Sequence, residues 1–386
     1  MKKIIRITTV PVALKVLLKG QLKFMNQYYE IIGVASSGNE HNDLHRDEGI
    51  RTEVIEMTRT ISPIKDILST YKLYKFLKQE KPFIVHTHTP KAGIVGMLAS
   101  YLAGVEHRFH TVAGLPLLVS TGPKRILLNL VEKWTYRLAT KVLPNSHGLC
   151  EIILKEKFAK SEKLQVIGKG SSNGINIEYF NPNTITDQEK TELKNELQLK
   201  DEDFVFVFVG RLVKDKGINE LIQAFEHVSK IEKNCKLILL GSREDHLDPL
   251  LEQTETIIAQ NKNIIAVGFK KDIRPYLAIS KILLFPSYRE GFPNAVMQAG
   301  AMGLPSIVTD INGCNEIIQQ NINGLIIPPK NTEALIDSMM YLKLHSSELL
   351  RMSSNSREII VQNYQHDYIW NELLKVYQDT ENQNVI

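Results

Sequence analysis

Two cations and two hydrogen-bonding side chains stand where apolar runs of this chain end in turns. In "FVFVFVGRLVKDKGI", Arg211 and Lys216 leave a buried run on one short loop. Paired cations at the mouth of a sheet suit a di-anion such as a diphosphate, although an ordinary solvated basic loop reads the same way. In "PSYREGFPNAVMQAGAMGLPSIV", Glu290 stands at a turn before Gly291, where a residue free of a Cβ permits conformations barred to others. The helix that should begin near Pro293 or Asn294 turns its free N–H groups and positive dipole end toward an anion. Gln298 lies eight residues after Glu290. That spacing lets both side chains look into one cleft and bond hydroxyl groups of a sugar or ribose. The plainer alternative is a helix-terminal acid followed by a solvated glutamine.

Three weaker constellations follow. "VGFKKDI" ends a strand at Gly268 and Phe269, with a helix expected from about Asp272, and a nucleotide base could rest on that loop. His110 in "FHTVAGLPL" ends an apolar strand, where an imidazole can bond developing charge. His86 and His88 share one strand face, a spacing compatible with a metal. No third ligand is near them in sequence, so a polar strand end is the better account and no metal is expected.

These side chains need sheets to carry them. Short β-rich runs alternate with helix-periodic segments throughout, which argues for parallel sheets covered by helices. The first half offers "KIIRITTV", "YEIIGVAS", "TEVIEM", "FIVHTH", "EHRFHTVA", "KVLPNS" and "LQVIG". The second offers "FVFVFVG", "KLILLG", "IIAVGF", "ILLFPS", "PSIVTD" and "GLIIPP", and "INELIQAFEHVSKI" reads as a helix. Turn-forming residues cluster at 168–185. We therefore expect an N-terminal Rossmann-like domain over 1–175 and a second over 176–365, with an amphipathic C-terminal helix within 366–386 as a candidate to pack back on the first. A length of 386 residues with 43% apolar content fits two domains with real cores. Neither sheet carries G-x-G-x-x-G after its first strand, which disfavours a dinucleotide hydride carrier.

The net charge of +4 is too small to argue for nucleic acid. Three scattered cysteines without C-x-x-C spacing point to a reducing compartment. Arg6, Lys15 and Lys19 break the N-terminal apolar run, so it reads as a strand entering a helix rather than a leader. Two basic amphipathic segments could lie on anionic lipid: "VALKVLLKGQLKFM", with Lys15, Lys19 and Lys23 four residues apart, and "GPKRILLNLVEKWTYRLATKVL", with Lys124, Arg125, Lys133, Arg137, Lys141 and Trp134. Alternatively, both pack their apolar faces on the first sheet.

Taken together, "GRLVKDKG", "PSYREGFPNAVMQAGAMGLPSI" and "NGLIIPP", in that order, resemble the family 4 retaining glycosyltransferases, over nearly the whole chain. The resemblance implies the GT-B fold, two Rossmann-like α/β domains whose parallel sheets face across a cleft, and no cofactor or metal. It assigns Arg211 and Lys216 to the donor diphosphate and Glu290 to the donor sugar. It also gives Gln298 to the ribose, where the family has a second Glu, and the amides of Phe292, Pro293, Asn294 and Ala295 to the diphosphate and sugar. His110 matches the family histidine near the reacting carbon.

"HTHTPKAG", "HTVAGLPL" and "GKGSSNGI" carry a narrower similarity, to bacterial enzymes that extend a sugar on undecaprenyl diphosphate in surface-polysaccharide and glycan assembly. It implies a UDP-linked N-acetylhexosamine donor, a lipid-linked saccharide acceptor and a cytoplasmic location at the inner face of the membrane. Lys15, Lys19, Gly20, His88 and Lys91 then fall on the acceptor side. The rivals are a GT-B-like sugar-nucleotide epimerase and a noncatalytic nucleotide-sugar-binding subunit, the latter suggested by Gln298.

Overall fold

The computed structural model describes residues 1–60, 62–244 and 248–382. The chain forms two compact units, Met1–Gly174 with His366–Ile386, and Ile175–Gln365.

The first unit holds β1 (Lys3–Ile7), β2 (Glu30–Ala35), β3 (Arg51–Val54), β4 (Ile84–Thr87), β5 (His107–Val112) and β6 (Lys141–Pro144) in the parallel order β3-β2-β1-β4-β5-β6. Its helices are α1 (Pro11–Leu17), α2 (Gln21–Met25), α3 (Glu40–Asp43), α4 (Pro63–Glu80), α5 (Pro90–Ala103), α6 (Gly122–Leu138) and α7 (His147–Lys155). Successive strand residues point to opposite faces and both faces are covered, which is why the strands read as unbroken apolar runs. Ile5, Ile7 and Val85 pack with residues of α4, α5 and α6, whereas Ile4, Ile31 and Ile84 pack with residues of α1 and α2.

Two expectations fail here. "LQVIG" forms no strand: Leu164 makes an isolated bridge to Val142, and the chain then turns through Gly168 and Gly170, both at positive φ. "VALKVLLKGQLKFM" is not one helix either. It breaks at Gly20, whose φ of +79° is left-handed and where an added Cβ would lie 2.7 Å from the Trp370 ring. The Glu48 carboxylate accepts from the N–H groups of Gly20 and Lys23, at 2.7 and 3.0 Å, and starts α2 afresh. Lys15, Lys19 and Lys23 therefore do not share one helix.

The second unit opens with α8 (Asp187–Glu196), entered through a Thr186–Glu189 capping box. Its strands are β7 (Phe204–Val209), β8 (Cys235–Leu240), β9 (Ile264–Gly268), β10 (Ile282–Phe285), β11 (Ser306–Thr309) and β12 (Gly324–Ile327), in the order β12-β11-β10-β7-β8-β9. The helices are α9 (Ile218–Ile231), α10 (Glu252–Gln260), α11 (Arg274–Ala278), α12 (Asn294–Ala301), α13 (Cys314–Ile317), α14 (Thr332–Leu344) and α15 (Ser346–Tyr364). The last helix, α16 (His366–Asn382), belongs to the first unit, where Ile369, Leu373 and Tyr377 join the core with α1 and α2. Residues 383–386 of the expected helix lie outside the described residues. Strand order reverses between β1 and β4 in one sheet and between β7 and β10 in the other, and such switch points are where open α/β sheets bind ligands.

Candidate functional site

The loops after β7 and β10 meet at the switch point of the second sheet. Lys216 Nζ donates to Glu290 Oε1, and Ser287 Oγ donates to the same oxygen at 2.8 Å. Arg211 on the same loop as Lys216 is paired with Glu244. Both cations are thus held by carboxylates. The Arg211–Glu244 pair is partly exposed, and such pairs are worth about 0–1 kcal/mol, so a stronger di-anion can take Arg211 over; the Lys216–Glu290 pair is far less exposed.

The two loops are fastened to each other. Tyr288 N–H donates to Asp215 O at 2.9 Å, and Arg289 Nη2 lies 2.8 Å from Asp215 Oδ2. Gly217 caps α9 at φ +70°, and a Cβ there would stand 2.0 Å from Pro286 O, so only glycine permits this approach.

Gly291 lies in the same turn, but it is not among the residues at positive φ. The special glycine is its neighbour in space, Gly313, at φ +78°, where a Cβ would lie 2.4 Å from Gly291 O. Asn312 Nδ2 donates to the Glu290 carbonyl. Phe292 and Pro293 are buried, Asn294 is exposed and Ala295 half-buried. Helix α12 starts at Asn294 with no side-chain cap, leaving its first N–H groups for another acceptor. Gln298 is half-buried in that helix and has no side-chain partner among the described residues. Gly268 ends β9 at φ +72°, and Phe269 beside it is 76% exposed. The next helix begins at Arg274, two residues beyond the expected Asp272, whose carboxylate instead accepts from Arg274 N–H at 3.0 Å.

In the first unit, His110 is buried on β5. Its Nδ1 bonds Thr87 Oγ1 at 2.7 Å, its ring packs on Tyr136, and an added Cβ at Gly93 would lie 2.6 Å from its Cε1. Burial pushes its pKa down to about 4, so the ring is neutral at pH 7. Nε2 carries no protein partner among the described residues. His88 is also buried, and its Nε2 accepts from Arg6 Nε at 2.9 Å. His86 uses both nitrogens, on Tyr377 Oη and Thr111 Oγ1. Three of the pair's four ring nitrogens are thus bonded within the protein, one of them to a guanidinium. Lys91 is bound to Asp66 at 2.6 Å and Lys15 to Asp43, while Lys19 is exposed.

Sequence reasoning gave no functional role to Arg6, Ser287 or Glu132. Arg6 announced itself as the lone charge inside the apolar run "KIIRITTV". Glu132 is buried on α6, and burial, outweighing the Tyr136 hydroxyl, raises its carboxyl to about 7. The helical period gave no sign that it turns inward.

Two doubly wound sheets, with cations and a carboxylate at the second switch point, define the GT-B class of sugar transferases. Solved structures agree on the fold: Anabaena Alr3699/HepE in complex with UDP matches with a TM-score of 0.81 over 98% of this chain and 100% of that one, at 17% identity.

The chain belongs to the group 1, family 4-like glycosyltransferases and is a transferase enzyme. The model described as "Glycosyl transferases group 1" matches residues 189–359, and "Glycosyl transferase 4-like" matches 13–146. The capsular polysaccharide biosynthesis glycosyltransferase CapM of Staphylococcus aureus is 32% identical over 378 residues, 97% of each chain. The UDP-Gal:alpha-D-GlcNAc-diphosphoundecaprenol alpha-1,3-galactosyltransferase of Escherichia coli is 32% identical over 352 residues, 88% of this chain and 86% of that one.

Proposed function

We propose that this enzyme transfers an N-acetylhexosamine from a UDP-linked donor to a saccharide carried on a polyprenyl diphosphate, with retention at the anomeric carbon and without a metal, in surface-polysaccharide or glycan assembly. The observation that carries it is the Lys216–Glu290–Ser287 cluster beside the uncapped start of α12. Arg211, Lys216 and the first α12 amides stabilise the departing diphosphate. Glu290 bonds the donor sugar and Gln298 the ribose. His110, neutral and with Nε2 unpartnered, offers an acceptor for a hydroxyl proton of the reacting sugar. The departing phosphate takes the proton of the attacking hydroxyl on the same face of the sugar. The E. coli relative's name supports the UDP donor and diphospholipid acceptor and makes galactose the rival sugar.

The test is a screen of UDP-GlcNAc, UDP-GalNAc and UDP-galactose with lipid extract, reading the anomer of the product. Transfer with retention and unaffected by chelator is expected. A new sugar nucleotide formed from donor alone would make the protein an epimerase instead.

Such an acceptor places the reaction at a bilayer, and the first unit supplies a face for it. No helix among the described residues is long and apolar enough to cross a membrane. Yet Ile64, Ile67, Leu68 and Tyr71 on α4, Leu98, Tyr101 and Leu102 on α5, and Ile126, Leu127, Leu130 and Trp134 on α6 are exposed. The alternative that α6 packs its apolar face on the first sheet holds only in part: Tyr136, Leu138 and Leu128 join the core beside Glu132 and Thr135, while Ile126, Leu127, Leu130 and Trp134 stay outside. A groove of about 450 Å³ runs between α4 and α5, lined by Ile67, Thr70, Tyr71, Tyr74, Leu98 and Leu102.

Every exposed charge on these helices is a cation: Lys65, Lys72, Lys75 and Lys78 on α4, Lys124, Lys133 and Arg137 on α6. Asp66 and Glu80 are neutralised by Lys91, Lys3 and Arg51. Apolar side chains amid unopposed cations suit an anionic bilayer, each cation near the surface adding about 1 kcal/mol. The protein should sediment with phosphatidylglycerol vesicles and not with phosphatidylcholine ones, and Ile67→Asp with Trp134→Ala should abolish this while transfer to a short-chain soluble acceptor persists. Equal binding to both vesicles would remove the anionic docking face and leave the transferase reading intact.

A further inference from the structure

The switch point of the first sheet holds a buried cation with no carboxylate. Arg6 on β1 is fully buried. Nε donates to His88 Nε2 at 2.9 Å and Nη2 to Gln21 Oε1 at 2.6 Å, while Nη1 has no partner among the described residues. Both partners are uncharged: Gln21 is an amide, and burial holds His88 well below the usual imidazole range. Among the described residues no acid pairs with Arg6, and burial lowers its pKa, opposed by the Tyr377 phenol.

Beside it lies a cavity of about 10 Å³, lined by polar groups that include Arg6, His88, Thr111, Asn145 and Ser172. Two further buried atoms of lining residues, Asn145 Oδ1 and Ser172 Oγ, also lack partners among the described residues. Three orphan polar atoms on one cavity need an occupant, and the volume admits one water-sized body. A water would satisfy the hydrogen bonds and leave the guanidinium charge uncompensated in a low-dielectric interior, a costly arrangement.

We propose that this cavity binds one monatomic anion, chloride or a similar halide, on Arg6 Nη1 and Ser172 Oγ. Asn145 completes the site when its amide turns to present Nδ2, at present engaged only by a 3.4 Å contact to Ala113 O; which amide atom is oxygen is an assignment from the bonding network. The anion draws together three segments. Gln21 of α2 also donates to Ser172 O and Asn173 Oδ1, at 3.0 and 3.1 Å, and Tyr377 of α16 bonds His86 at 2.6 Å. The site is independent of the transferase reading above.

The test uses the full chain. Melting is followed in sodium chloride against sodium gluconate at equal ionic strength, and crystals soaked in bromide are measured for anomalous scattering. The expected results are a saturable rise of a few degrees with chloride, a bromide peak against Arg6 Nη1, and an apparent halide affinity about 3–10-fold weaker in Ser172→Ala, the loss of one hydrogen bond. Arg6→Met should abolish the halide effect, and if that variant does not fold, Ser172→Ala and the bromide peak still decide. Identical melting in both salts with no peak in the cavity would mean a buried water only and would overturn the proposal. So would a peak elsewhere alone, or stabilisation by inorganic pyrophosphate and not by halide.

Discussion

Lys216 Nζ bonds Glu290 Oε1 across 74 residues of sequence, at the point where β7 and β10 diverge. One carboxylate therefore holds the lysine that a diphosphate would claim. Glu290→Gln should weaken that hold and leave UDP affinity within about threefold, while transfer falls about 100-fold because the sugar contact is lost. Lys216→Ala should lower UDP affinity and kcat together. Calorimetric titration of UDP beside initial-rate kinetics separates the two, and unchanged transfer in both variants would refute the assignment.

Gln298 is half-buried in α12 with no side-chain partner among the described residues. If it bonds the ribose, Gln298→Ala removes one uncharged hydrogen bond, about 0.5–1.5 kcal/mol, and KM for the donor should rise about 2–10-fold with kcat nearly unchanged. A fall in kcat at constant KM would place the residue elsewhere.

The φ of Gly217 and its contact with Pro286 O argue that Gly217→Ala is not conservative. A Cβ at 2.0 Å must push the β10 loop away from the β7 loop, so we expect a loss of more than about 2 kcal/mol in urea unfolding together with weakened UDP binding. Gly268→Ala is the comparison, because its Cβ would meet nothing within 4 Å. It should cost only the backbone strain.

Two buried groups bend stability with pH in opposite senses. Burial holds His110 to about 4, so between pH 6.5 and about 4 the unfolded chain binds a proton that the folded chain refuses. That stability is whole above pH 6.5 and falls by about 3 kcal/mol as pH drops through the window. Glu132, raised to about 7 by burial, does the reverse: its contribution is whole below about pH 4.5 and is lost as pH rises through 7. Glu132→Gln should therefore match the wild type near pH 4.5 and exceed it by about 2–3 kcal/mol at pH 8. Denaturant unfolding at those two pH values checks the sign, and a variant less stable at pH 8 would contradict it.

Much of the fold was legible in the chain. Runs such as "FVFVFVG" and "KLILLG" are apolar at every position because both faces of a parallel sheet are buried, and turn residues mark where each run stops. The residues that end those runs, Arg211, Lys216, Glu290 and Gln298, could be named for the same reason, since ligand chemistry in such sheets collects at strand ends. Local pattern determined no more than this. That Glu290 holds Lys216, that α6 turns Glu132 inward and Trp134 out, that "VALKVLLKGQLKFM" breaks where Trp370 presses on Gly20, and that Arg6 is sealed among neutral partners are all contacts between segments far apart in sequence. Periodicity records how often a residue recurs along one element and not which neighbour it meets. Only packing in three dimensions decides whether a charge is paired, solvated or left buried beside a cavity.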